Sequence, residues 1–178
     1  MRVKILYTII LTFCATSVLL SANKITSAVF YYKAVKIINS ENGNKHLVAI
    51  KLLEKAKTLN SSYKPIQVLL SSCYSDMSIE YLNQKDFNNA FSSIDKAIAI
   101  CPIFIKNYEL KGTLFRNSGD NIKAIVYYRI ALEMSKIVNA MDLSEYHEWQ
   151  NIIKVPTERY TKMIAEFSRD KNGDQCSF

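Results

Sequence analysis

A block in the middle of the chain recurs after 34 positions. Tyr74, Tyr81, Asn83, Asp86, Ala90, Ala97 and Ile98 are answered by Tyr108, Phe115, Asn117, Asp120, Ala124, Ala131 and Leu132. Ser78 is matched by Gly112, and Ile94 by Tyr128. Spacings of three, four and seven hold the matched positions on one face of a helix. Each copy therefore reads as two antiparallel helices, small residues allowing close approach and large ones filling the space beside them. Asp86 and Asp120 fall in the joints, where an aspartate caps the following helix. With 49% hydrophobic residues, 4 Gly and 3 Pro, the rest of the chain suits the same all-α organisation in one core of ordinary size.

These residues at this period resemble the tetratricopeptide repeat, with Pro102 closing the first of the two copies after Ala97 and Lys136 standing at the equivalent place in the second. An earlier, weaker copy is traced through Tyr31 to Asn39 and then Ala49, Leu53 and Ala56, with Ser40 where the other copies have Tyr81 and Phe115. The offset from Ala49 to Ala90 is 41, which places about seven extra residues around Ser61 to Pro65. The resemblance covers roughly Tyr31 to Lys136. It implies a TPR-like α-solenoid of about three helix hairpins, followed by C-terminal capping helices and preceded by a hydrophobic helix.

Met1-Arg-Val-Lys4 is positively charged, and Ile5 to Leu20 is uncharged and mainly apolar, as in a secretory signal. Thr26-Ser27-Ala28 supplies small residues for cleavage before Val29; uncleaved, Ile5 to Ala22 approaches the length of a membrane span. Either outcome places the body outside the cytosol, anchored and facing outward or secreted. Cys14 does not read as a lipidation site, because bulky Phe13 precedes it. The expected organisation is therefore a signal peptide or anchor over 1–28, repeats over 29–136, capping helices over 137–168 and a polar mobile tail over 169–178. In the capping region Asp142 and Glu145 suggest a capping box, and Pro156 opens a helix running to about Phe167.

The net charge of +7 falls to about +4 once Arg2, Lys4 and Lys24 are assigned to targeting, and no Arg-rich run or glycine-aromatic motif marks a nucleic-acid surface. His147-Glu148 begins like a zinc-protease helix, but Asn151 replaces the second histidine, and His46 is the one other histidine. Asp170, Asn172 and Asp174 open like a calcium loop without its glycine or closing glutamate. No catalytic set, metal site, cofactor or small-molecule substrate is expected. Export permits disulfides, and Cys73 and Cys101 bound one predicted hairpin, so the two form either a bridge or buried thiols, with Cys176 left over in the tail.

Members of the repeat family hold a peptide or partner helix in the concave surface of their first helices. Carrying those positions across gives Tyr31, Ala34 and Ile38; then Ser72, Ser75, Ile79, Leu82 and Asn83; then Lys106, Glu109, Thr113, Arg116 and Asn117. Ala34, Ile38 and Leu110 stand where the carboxylate-clamping members carry polar residues, so that subtype is not expected. Ile38, Ile79 and Leu82 serve equally well as apolar positions covered by end helices. The implied function is a non-enzymatic scaffold or assembly factor of an envelope or secretory compartment that holds a protein partner. The alternative is a structural or regulatory subunit of a membrane complex, acting through the N-terminal span.

Overall fold

A computed structural model describes the backbone of residues 2–40 and 43–173, and the side chains of 12–40 and 43–165. The described residues contain no strand. The helices are α1 (Arg2–Ile38), α2 (Lys45–Leu59), α3 (Lys64–Asn83), α4 (Phe87–Ile100), α5 (Lys106–Asn117), α6 (Asn121–Ala140), the short α7 (Gln150–Ile153) and α8 (Thr157–Gly173). The chain divides into two compact units, Met1–Ile66 and Gln67–Phe178.

In the first unit α1 and α2 form a hairpin. Ala34 on α1 and Ala49, Leu53 and Ala56 on α2 are completely buried. Small residues on both helices let the backbones approach, and Leu53 fills the space beside them. Buried Ser27 donates its hydroxyl to the Ala56 carbonyl across the pair, at 2.8 Å. Ser40 lies just beyond the end of α1, whereas Tyr81 and Phe115 lie inside α3 and α5, which is why this copy is the weakest in sequence.

The second unit contains the two better-matched hairpins, α3/α4 and α5/α6. Ser78 donates to the Ala90 carbonyl at 2.9 Å and Ser71 to the Ala97 carbonyl at 2.8 Å, so the small positions carry the hydrogen bonds between α3 and α4 as well as their close approach. Between α5 and α6 the small residue is Gly112. Ala90, Ile94, Ala97 and Leu114 form a completely buried cluster, with Tyr74, Tyr81, Phe91 and Leu110 packed on its edge.

Both joints have the same construction. Asp86 accepts a hydrogen bond from the Asn89 N–H, and Asp120 one from the Lys123 N–H, capping α4 and α6 as the sequence implied. Just before each aspartate, Lys85 (φ 60°) and Gly119 (φ 89°) adopt the left-handed conformation. The Asp86 N–H reaches the Tyr81 carbonyl and the Lys85 N–H reaches Leu82; Asp120 and Gly119 do the same to Phe115 and Arg116. This paired pattern is the Schellman closure, which satisfies carbonyls left open where a helix ends.

The seven extra residues lengthen a helix. The counterpart of Lys106, 34 residues earlier, is Ser72, yet α3 already begins at Lys64. The insertion therefore extends the first helix by about two turns, with Val68 and Leu70 completely buried.

The C-terminal region differs from expectation in three places. Residues Ser144–Trp149 form a turn of 3₁₀ helix broken at Tyr146 (φ −117°, ψ 24°), not an α-helix opened by a capping box. The Asp142 carboxylate bonds the Ser144 N–H two residues on, so it closes a turn. Pro156 stands one residue before α8, and α8 runs to Gly173, past the expected boundary at 168. Cys176 and the rest of 174–178 lie outside the described residues. Leu143, Ile153, Val155 and Tyr160 pack with Phe104, Ile105, Ala131 and Val138, covering the apolar end of the α5/α6 hairpin.

Candidate partner-binding groove

Three polar side chains, two buried and one half-buried, tie the first helices of the two hairpins, α3 and α5, to each other. Asn107, in the first turn of α5, donates from Nδ2 to Ser71 Oγ at 2.8 Å, and Ser75 donates to Asn107 Oδ1. Asn107 and Ser71 have no exposure at all. An amide at this place meets both its donor and its acceptor needs within the protein. Register between α3 and α5 is thereby set by polar matching as well as by packing.

Above this network lies a cavity of about 420 Å³, contained wholly in the second unit. From α3 come Ser72, Ser75, Asp76 and Ile79; from α5 come Lys106, Glu109, Leu110 and Thr113. Phe104 contributes at the base, and Ile152 and Arg159 complete the wall from the C-terminal region. The site is a short trough with apolar groups at Ile79, Leu110, Phe104 and Ile152 and polar groups between them.

Of the groove positions expected from the sequence, Ser72, Ser75, Ile79, Lys106, Glu109 and Thr113 line this trough. Leu82 instead packs on the buried cluster of the α3/α4 hairpin. Asn83, Arg116 and Asn117 are exposed beyond the trough, and Asn117 donates to the Thr113 carbonyl of its own helix. In the first unit Tyr31 and Ala34 are buried, Tyr31 lying edge-on to Tyr63 with ring centres 5.8 Å apart, and Ile38 is half-buried.

Glu109 is engaged. Its carboxylate accepts from the Arg159 guanidinium and from the Tyr160 hydroxyl, so α8 is tied across one wall of the trough. Tyr160 is completely buried, and this burial, with the Glu109 carboxylate beside it, raises the phenol well above its ordinary range. The hydrogen bond to Glu109 foremost raises the Arg159 guanidinium as well, so Arg159 is charged at any physiological pH. Phe104, Asp76, Ile152 and Arg159 were not expected from the sequence. Asp76 was within reach of the helical spacing; Phe104 lies in the joint before α5, and Ile152 and Arg159 enter the site only because the chain folds back.

Cys73 and Cys101 are both buried and no disulfide joins them. Cys101 packs into the cluster around Ile105, Ala131 and Tyr160. Burial, followed by the charge of Asp76, pushes the Cys73 thiol up to about 12, so it is held as an unreactive thiol at neutral pH. Among the described residues no group of three or more His, Cys, Asp or Glu converges as a metal site would require.

No family model matches the sequence, and no curated protein is significantly similar to it. A solved structure titled "Crystal structure of MamA protein" is similar over 67% of this chain at 23% identity, with a TM-score of 0.41. The likeness spans 60% of that chain, less than two thirds of its length, and at this score it carries no weight for function.

Proposed function

We propose that the chain is a non-enzymatic scaffold that holds a segment of a protein partner in the trough between α3 and α5, with its body outside the cytosol. The observation that carries this reading is that side chains from both first helices converge on one cavity of about 420 Å³, large enough for two or three side chains of a bound segment. Ile79 and Leu110 offer apolar contact while Ser72, Thr113 and Lys106 offer hydrogen bonds or charge, a division suited to an amphipathic peptide or helix. Ile79 is 42% exposed, which marks it as an apolar group the fold leaves uncovered.

The test is recovery of partner by the full-length chain. Substituting Ile79→Lys with Thr113→Arg fills and charges the trough and is expected to lower recovery at least tenfold, whereas unchanged recovery contradicts the groove. A second reading, a membrane-complex subunit that binds through its span, is supported by the exposed apolar side chains Phe13, Val18, Leu19 and Leu20 on α1. Under that reading partner recovery survives the trough substitutions and disappears with residues 1–28. Of the two states open to Cys73 and Cys101, buried thiols fit the burial of both and the raised Cys73, and peptide mapping without reduction reads it: both thiols alkylated in exported protein is the expected result, and a bridged peptide would contradict it.

A further inference from the structure

We propose that the apolar N-terminal helix is a retained bilayer anchor, continuous with the first repeat, and is not removed after Ala28. This deepens the targeting half of the function proposed above and rests on export of the body. The helix α1 runs unbroken from Arg2 to Ile38, so residue 28 is not a boundary between a leader and a body.

The repeat begins before Ala28. Ser27 is buried and donates to the Ala56 carbonyl, as Ser71 does to the Ala97 carbonyl in the next hairpin. Ala56 and Ala97 are matched at the same 41-residue offset as Ala49 and Ala90. Ser27 is thus one of the groups that join the first helix of a hairpin to the second. Cleavage after Ala28 would remove it and place a charged amino group at Val29, within the same turn.

The part of α1 preceding Ser27 has what a bilayer requires. Residues 5–23 contain no Asp, Glu, Lys or Arg. Positions 4 and 24, both lysine, stand about 30 Å apart along a helix, the thickness of the hydrocarbon layer. Phe13, Val18, Leu19 and Leu20 are 59–74% exposed. No protein surface described covers them, and a helix without charge on any side over residues 5–23 fits lipid better than a one-sided docking groove. Three hydroxyls within it are already satisfied: Thr16, Ser17 and Ser21 donate to the carbonyls of Phe13, Cys14 and Ser17 on their own helix. Hydroxyls bonded back to the preceding turn enter hydrocarbon without an open donor.

The experiment is expression of the full-length chain with membranes, extraction with alkaline carbonate, and intact mass of each fraction. The expected result is a chain of 20.4 kDa beginning at Met1 in the extraction-resistant membranes. The double variant Leu19→Lys, Leu20→Lys is expected to move most of the chain to the soluble fraction. A chain beginning at Val29, or anywhere else within α1, overturns the anchor while leaving export intact. An intact chain in the soluble fraction before substitution overturns both the anchor and the export reading. A double variant that stays extraction-resistant overturns the anchor by showing that some other surface holds the membrane.

Discussion

Gly112 and Tyr128 occupy each other's space: a Cβ placed on Gly112 would lie 2.7 Å from Cε1 of the Tyr128 ring and 3.2 Å from the Ala124 carbonyl oxygen. In the preceding hairpin the same two positions hold Ser78 and Ile94. The smaller partner there leaves room for a serine, whose hydroxyl bonds the Ala90 carbonyl instead. Size is exchanged between the two helices while the approach of their backbones is kept.

It follows that Gly112→Ala destabilises the chain although alanine is the better helix former. Overpacking costs about 1–3 kcal/mol and the gain in propensity returns about 1, a net loss of up to roughly 2 kcal/mol. Denaturant unfolding of the single variants and of Gly112→Ala with Tyr128→Ile is expected to show strong coupling, the double variant regaining stability over Tyr128→Ile alone or losing none. Additive losses would count against the size exchange.

The Ser71–Asn107–Ser75 network predicts a second loss. Asn107→Ala removes two hydrogen bonds at a site with no access to water and leaves a void, so about 2–4 kcal/mol of unfolding free energy is expected to disappear. A change below about 0.5 kcal/mol, the range of surface substitutions, would show that this register lock is not formed.

The joints allow a gain. Lys85 takes a left-handed conformation that its counterpart Gly119 adopts freely. Lys85→Gly is expected to raise stability by about 0.5–1 kcal/mol after allowing for the greater freedom of glycine in the unfolded chain. Gly119→Ala is expected to lower stability by about 1 kcal/mol, both read by thermal or denaturant unfolding.

Alkaline pH should weaken the fold. The Cys73 thiol is raised from 9.0 to about 12 by burial, and Tyr160 is raised from 10.0 by burial and by Glu109. Both groups are held neutral in the native state and ionise more easily once unfolded. The native chain then binds more protons than the unfolded one, so stability is full below about pH 9 and falls as pH rises from there towards 12. Denaturant midpoints between pH 7 and 11 should decline above pH 9. Cys73→Ala should flatten the first part of the decline, and Tyr160→Phe the part above pH 10.

Much of this was legible from the sequence because it is periodic or local. The alternation of Ser78 and Gly112 with the alanines of the second helices gave the hairpins, and Asp86 and Asp120 gave the caps, since a cap is set by residues three apart. The extension of α3 was hidden by Pro65, which suggests a loop but is tolerated in the first turn of a helix, where its missing N–H has no partner to lose. The 3₁₀ turn was hidden because Asp142 and Glu145 have the spacing of a capping box although the carboxylate turns to Ser144. The Arg159–Glu109 pair joins residues 50 apart, which no spacing rule reaches, so the wall that α8 gives the trough could not be foreseen.

The trough between α3 and α5 is proposed to hold a partner. A photoreactive residue introduced at Thr113, inside the trough, tests it beside the same residue at exposed Asn88 on α4, away from it. In cells of origin, irradiation is expected to join a discrete protein to the Thr113 position and not to Asn88, with the adduct lost when Ile79→Lys is added. Equal crosslinking from both positions, or an adduct from Thr113 that survives Ile79→Lys unchanged, would contradict it.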